Sequence, residues 1–242
     1  MLKEIGSLFS FLTIIPANNS NLETVAKYMY IFPIVGIGIG LLIGSFGFGL
    51  SFFFDEPLIV ALLVVAALSL LTGIHHTDGL GDFADGLMTK GEKEKKLQAM
   101  KDVSTGSAGI VSIVLYLVGM IIAISLMSGF VLFQALLLSE ILAKFSMVLQ
   151  ASLGRSAAVG SNSPFIQMMS DKKKLAIAGA ITIIPLVIIG GTTGLMAFAI
   201  TIVITMFILG ISTRSFGGIT GDVMGATNEI TRLSSLVIFA SV

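Results

Sequence analysis

PLIVALLVVAALSLLTGIHHTDGLGDFADGLM, residues 57–88, joins two unlike halves. From 57 to 74 there is no charge; from 75 to 88 there are three aspartates, two histidines and three glycines. An apolar run of about 20 residues is what a bilayer core asks of a helix. The first half therefore reads as a membrane span and the second as the point where the chain emerges. Composition agrees. The 242 residues are 55% hydrophobic and 12% charged, about half the roughly 25% charged share of soluble domains. The mean hydropathy is +1.02. The formal net charge is zero, so no global field favours nucleic acid or acidic partners. With no cysteine, disulfides and thiolate chemistry are excluded. Residues 5–15 are apolar, yet no small-residue cleavage site follows them, so they do not read as a cleaved signal.

Runs near spanning length occur at 31–54, 57–74, 108–128, 130–150, 175–191 and 194–211, with a shorter one at 233–242. Segment 5–16 is too short to cross and is expected to lie in the interface or re-enter, with Pro16 ending it. Placing Lys3 and Lys27 inside leaves 75–107, 151–174 and 212–232 inside as well. Those segments, with Lys3 and Lys27, hold 13 of the 14 basic residues, and Lys144 is expected to snorkel from the inner end of its span. The outer turns hold only Asp55 and Glu56. The expected fold is all-α: a single domain over 1–242, polytopic in the membrane, with six to seven transmembrane helices. Gly36, Gly40 and Gly44 recur every four residues and predict close helix packing rather than a pore.

The concentrated acid lies on the basic side. If 78–86 is helical, Asp78, Asp82 and Asp85 stand at i, i+4 and i+7 on one narrow stripe. Like charges so placed repel, and a hard divalent cation such as Mg²⁺ relieves that repulsion. Asp78 as a helix cap, with its neighbours solvated, is the plainer alternative. KGEKEKKLQAMKD, 90–102, reads as a solvated helix. MKDVSTGSAG, 100–109, ends in small residues that open the next span, a start whose N–H groups favour phosphate. RSFGGITGDVMGATNE, 214–229, brings Gly217, Gly218, Gly221 and Gly225 with a further carboxylate, Asp222. On the same membrane face as the trio, it is a candidate second wall, and Glu229 shares a face with Asp222 if that stretch is helical. Glu140 and Lys144, at i and i+4 within a span, read either as a mutual ion pair or as a functional flag. Arg155 reads as an anion contact or an ordinary juxtamembrane arginine. His75 would share the aspartate stripe, and His76 would face away.

These stretches together resemble the adenosylcobinamide-GDP ribazoletransferase (cobalamin synthase) family. GIHHTDGLGDFADG, from Gly73 to Gly86, is similar to its G-x-H-x-D-G-x-x-D-x-x-D-G signature. MKDVSTGSAG resembles its M-K/R-D-x-x-x-G-x-x-G, GGITGDVMGATNE its G-G-x-T-G-D-x-x-G-A-x-x-E, and FSFLTIIP its usual opening. The resemblance runs in order from Phe9 to Glu229. It implies an Mg²⁺-dependent, multi-pass transferase of the plasma membrane with its active site on the cytoplasmic face. Such an enzyme joins the GDP-activated corrinoid to α-ribazole, or to its 5′-phosphate, and releases GMP. By the same resemblance, His76, Asp82 and Lys101 are catalytic; Asp102, Arg155, Thr220, Gly221 and Glu229 contact substrate; and Asp78, Asp82, Asp85 and Asp222 hold the metal. The lipid bilayer and the two small substrates are the expected partners, nucleic acid is not, and a homo-oligomer is left open.

Two rival classes use similar residues. A CDP-alcohol phosphotransferase also carries membrane-face aspartates, and DFADGLMTK resembles part of its D-x-x-D-G-x-x-A-R opening. Here, however, Lys90 replaces the arginine and no G-x-x-x-D-x-x-x-D follows. A transporter would place its polar residues at mid-membrane rather than at one face.

Overall fold

Unbroken apolar sequence leaves the backbone no partner but itself inside a bilayer, so the chain resolves into helices. The computed structural model describes residues 2–17, 21–157 and 163–241; 158–162, within the 151–164 segment, and Val242 lie outside the described residues. The helices are α1 (Leu2–Leu12), α2 (Leu22–Tyr28), α3 (Phe32–Leu50), α4 (Pro57–Thr72), α5 (His75–Met88) and α6 (Lys93–Ala99). They continue as α7 (Ser107–Ser125), α8 (Gly129–Leu153), α9 (Ser163–Met168), α10 (Lys172–Phe216) and α11 (Gly221–Ala240). A 3-10 turn, Met29–Ile31, joins α2 to α3. Pro33 and Pro57 stand at the starts of α3 and α4, where the missing N–H costs nothing.

The centre of the bundle is α8, buried without interruption from Ala135 to Ala151. Helices α3, α10 and α11 surround it. The contact with α3 runs through the predicted glycine stripe. A Cβ at Gly36 would lie 2.6 Å from the Glu140 carbonyl oxygen, and one at Gly40 would lie 2.7 Å from Leu137 Cα. The stripe is a packing face, as expected.

Among the described residues, four helices are long and apolar enough to cross a membrane, or five if α4 and α5, which meet at 91°, count as one broken span. A count by helix length and composition falls below the expected six to seven for physical reasons. Helix α4 alone is 16 residues, and α11 carries charges along its length. Helix α10 holds two of the predicted runs in 45 residues, which would be about 68 Å if straight, against an apolar core of about 30 Å. It is not straight. Gly191 leaves helical geometry (φ 53, ψ −133), and a Cβ at Gly194 would lie 2.5 Å from the Leu186 carbonyl oxygen. Residues eight apart in a straight helix are about 12 Å apart, so the chain folds back and forms two arms.

Contacts fix which segments share an end. Lys174 Nζ donates to the Lys27 carbonyl (3.2 Å) and the Met168 carbonyl (2.7 Å). Arg155 Nε donates to the Gly217 carbonyl at 2.8 Å, and Phe83 meets Phe216 with ring centroids 6.0 Å apart. Asp55 lines a cavity with Met127 and Ser128 elsewhere, and Gln134 reaches the Ile189 carbonyl beside the α10 turn (3.3 Å). Segment α1, with Leu8 and Leu12 buried, packs against the α4–α5 junction through the Ile14 N–H to the Leu71 carbonyl (2.9 Å).

Two basic residues correct the charge count. Arg232 was counted in an inner loop but lies within α11, 2% exposed. Lys144 does not snorkel: it is fully buried, because partners within the bundle satisfy its ammonium. The other twelve of the 14 basic residues belong to the segments expected to share one face. Single cysteines introduced at 93 and 173 are expected to react alike with an impermeant thiol reagent in intact cells, and opposite to one at 55. Matching labelling of 55 and 93 would contradict this topology.

Candidate functional site

The turn from α4 into α5 is sharp because two successive residues are left-handed: Gly73 (φ 68) and Ile74 (φ 65). Glycine takes this conformation freely; a β-branched isoleucine does so only under constraint. The strained pair sets α5 at right angles to α4, so α5 runs along the end of the bundle. Helix α5 is regular from His75 onward, and the predicted stripe of Asp78, Asp82 and Asp85 holds.

Helix α11 crosses α5 at backbone contact. A Cβ at Gly79 would be 3.0 Å from Asp222 Cα, and one at Gly225 would be 3.2 Å from His76 Cα. These glycines serve close approach of two helices rather than of a ligand. The crossing brings Asp222, in the first turn of α11, to Asp78 and Asp82. The segments were separated by more than 130 residues in sequence, and they meet as expected. Thr220 caps α11: its Oγ1 accepts from the Val223 N–H (3.2 Å) and donates to Asp222 Oδ2 (3.3 Å). Gly221 has open space where a Cβ would stand.

Two cavities open beside the crossing. One, of about 330 Å³, is lined by Asp78, Asp82, Met100, Lys101, Asp102 and Thr105, with Val103 at its edge. The other, of about 180 Å³, is walled by Phe11, Phe32, Met147 and Phe165, with His75, His76 and Asp222 among its polar lining. Asp102 also accepts the Ser104 N–H (2.9 Å). Partial burial pushes the Asp82 carboxyl from 3.8 to about 6, helped by the charges of Asp78, Asp222 and Asp85. Burial also raises Asp222, against its bond from Thr220. The His76 imidazole is held well below the usual histidine range, first by burial and then by the cations Lys144 and Arg232. Its Nδ1 is buried without a partner.

Several expected residues do other work. Asp85 is engaged: its oxygens accept the Gly106 and Gly109 N–H groups at 2.7 and 2.9 Å. The α7 start, read as a phosphate site, thus already holds a carboxylate of the protein, which suits the positive end of a helix dipole. Glu229 does not line either cavity. It shares a face with Asp222, but seven residues place it about 10 Å deeper. There it pairs with Arg232, which also pairs with Glu140 and donates to Tyr116 Oη (2.9 Å). Lys144 Nζ donates to Asn228 Oδ1 (2.8 Å) and lies 3.5 Å from Glu140. The predicted Glu140–Lys144 pair exists, but within a larger network of two acids and two bases. Arg155 holds the Gly217 loop, and Ile219 N–H to the Arg155 carbonyl (2.8 Å) completes that contact. Sequence reasoning missed Tyr116, Asn228 and the aromatic wall. Only Arg232, three residues beyond Glu229, carried a readable signal.

No group of three His, Asp or Glu side chains among the described residues already converges as a cation cage. The carboxylates share one electrostatic neighbourhood without forming a closed shell.

The order of these elements can be set beside known proteins. The cobalamin-5-phosphate synthase family model matches residues 4–240. The chain belongs to this family. Similar relatives include adenosylcobinamide-GDP ribazoletransferases of Methanocella arvoryzae (35% identical, covering 100% of this chain and 97% of the relative) and Methanococcoides burtonii (34%, 97% and 90%). That of Thermococcus kodakarensis is 32% identical, covering 98% of this chain and 97% of the relative. No solved structure matches the chain.

The raised Asp82 carboxyl has a consequence for stability without divalent cations. An unfolded chain loses this proton near 3.8 and the folded one near about 6, so folding is favoured at the acid end and loses that contribution as pH rises through about 6. Thermal unfolding in detergent should show this slope, and Asp82→Asn should flatten it. An unchanged slope in the variant would contradict the clustering.

Proposed function

We propose that the protein is an adenosylcobinamide-GDP ribazoletransferase, acting in the plasma membrane with its site on the cytoplasmic face. The family match carries the activity, and the meeting of Asp78 and Asp82 with Asp222 beside Lys101 supports its location. The basic residues at that end support the cytoplasmic orientation. In the reaction, a ribose hydroxyl oxygen of α-ribazole, or of its 5′-phosphate, bonds to the phosphorus carried by the corrinoid. The bond from that phosphorus to the bridging oxygen breaks, and GMP leaves with the electron pair. The hydroxyl proton passes to a base.

The residues divide this work by chemistry. Phosphoryl transfer depends on positioning and on neutralising the equatorial and leaving oxygens. Lys101, on the wall of the larger cavity, supplies fixed positive charge to the pyrophosphate. Asp102, on the same wall, orients that loop through its bond to Ser104. His76, held neutral and with Nδ1 unpartnered, accepts the hydroxyl proton. Thr220 and Gly221 shape the start of α11 against the acceptor.

An all-oxygen donor set of Asp78, Asp82 and Asp222 fits Mg²⁺. That ion is commonly held by one or two carboxylates, with water and substrate phosphate completing its shell, so an open cluster suits it better than a closed cage. Bound there, it would offset the pyrophosphate charge and polarise the phosphoryl oxygen. A CDP-alcohol phosphotransferase is not favoured, because the family match spans the whole chain. A transporter is not favoured either, because the family match spans the whole chain and the deeper carboxylates, Glu140 and Glu229, are already held in ion pairs.

Purified protein given the GDP-activated corrinoid and α-ribazole should yield a corrinoid of the joined mass and GMP. Chelation should abolish the product and added Mg²⁺ restore it. Asp78→Asn should raise the Mg²⁺ concentration for half-maximal rate by about tenfold or more, equivalent to about 1.4 kcal/mol. Full activity with chelator present would refute the metal assignment.

A further inference from the structure

The smaller cavity differs in chemistry from the carboxylate-lined one, and the proposed reaction leaves its occupant open. Its walls come from α1, α3, α8 and α9, through Phe11, Phe32, Met147 and Phe165. Phe11 and Phe165 already stand as a tilted aromatic pair, centroids 5.8 Å apart. Such walls hold a flat apolar ring by area burial and by edge and face contacts. The volume, about 180 Å³, is room for a two-ring heteroaromatic and well short of a corrin macrocycle.

We infer that this cavity is the subsite for the aromatic base of the acceptor, a flat two-ring heterocycle that buries its apolar edges among Phe11, Phe32, Met147 and Phe165. The inference rests on the transferase reading and names a part of that same site.

Three arguments select this occupant. A guanine base presents donors and acceptors along its edge. The walls of Phe11, Phe32, Met147 and Phe165 offer these no partners, and the polar lining, His75, His76 and Asp222, comes only from α5 and α11, where the sugar would lie. Burying a guanine edge unmatched against the phenyl walls is unfavourable. The benzimidazole of α-ribazole bears methyl groups there instead. Position gives the second argument. His75, on this cavity, lies on the Asp78–Asp82 stripe of α5, seven residues or about 10 Å from Asp82 along the helix. A nucleoside with its ring here therefore points its sugar toward the carboxylates. The third is an unmet demand: His76 lines the cavity and its buried Nδ1 has no partner, which a sugar hydroxyl of the seated acceptor would satisfy.

The chain has no tryptophan, so Phe165→Trp gives a single emitter in the wall. Titration with α-ribazole should quench it saturably, and GMP over the same range should not. Quenching by GMP and not by α-ribazole would assign the cavity to the guanine and overturn the proposal; quenching by neither would overturn it as well. Gly221→Leu is the second arm. It puts a side chain into open space beside this cavity. The expected result is a KM for α-ribazole raised about tenfold or more, with the KM for the GDP-activated corrinoid moved less than about twofold. An equal rise in both, or a rise for the corrinoid alone, would overturn the assignment. If wild-type protein formed no joined product, the transferase reading would fail, while the fluorescence titration would still report whether the cavity takes the ring.

Discussion

The site depends on two helices touching at their backbones. Where α5 crosses α11, Gly79 faces Asp222 and Gly225 faces His76, with no room for a side chain at either point. A methyl group there would push the helices apart, an overpacking that costs about 1–3 kcal/mol in a well-packed interior. The larger consequence is geometric. Separation would move Asp222 away from Asp78 and Asp82, and a phosphoryl-transfer site tolerates little misplacement.

What holds α11 at that depth is the charge network below it. Arg232 bridges Glu140 on α8 and Glu229 on its own helix, while Lys144 of α8 bonds Asn228. Charges balance, two against two, so the desolvation of each is met by a partner. Removing one member would leave an uncompensated buried charge, at about 3–5 kcal/mol. Asp85 does the same job for α7, holding its first N–H groups to α5. The site is thus a layer of clustered carboxylates over an interior whose buried charges are paired.

Much of this was legible in the sequence, for identifiable reasons. The spacing of Asp78, Asp82 and Asp85 gave a helical stripe because helix geometry is local. The Gly36–Gly40–Gly44 stripe gave the α3–α8 contact because small residues at that period have few other uses. Depth was not legible. Glu229 and Arg232 sit in a stretch polar enough to read as a loop, and only packing against α8 and α7 makes them internal. The role of Asp85 was hidden for a similar reason: nothing in its neighbourhood names Gly106 and Gly109 as partners. The aromatic cavity draws Phe11, Phe32, Met147 and Phe165 from four helices, a long-range assembly that no periodicity reveals.

The central claim is that α5 and α11 form one catalytic unit. A double-mutant cycle of Asp82→Asn and Asp222→Asn, read as the rate of corrinoid–ribazole joining at fixed Mg²⁺, tests it most directly. Residues acting as a unit lose activity together rather than independently, so the double variant should fall little below the worse single one. Losses that multiply would contradict the account and place Asp222 outside the site.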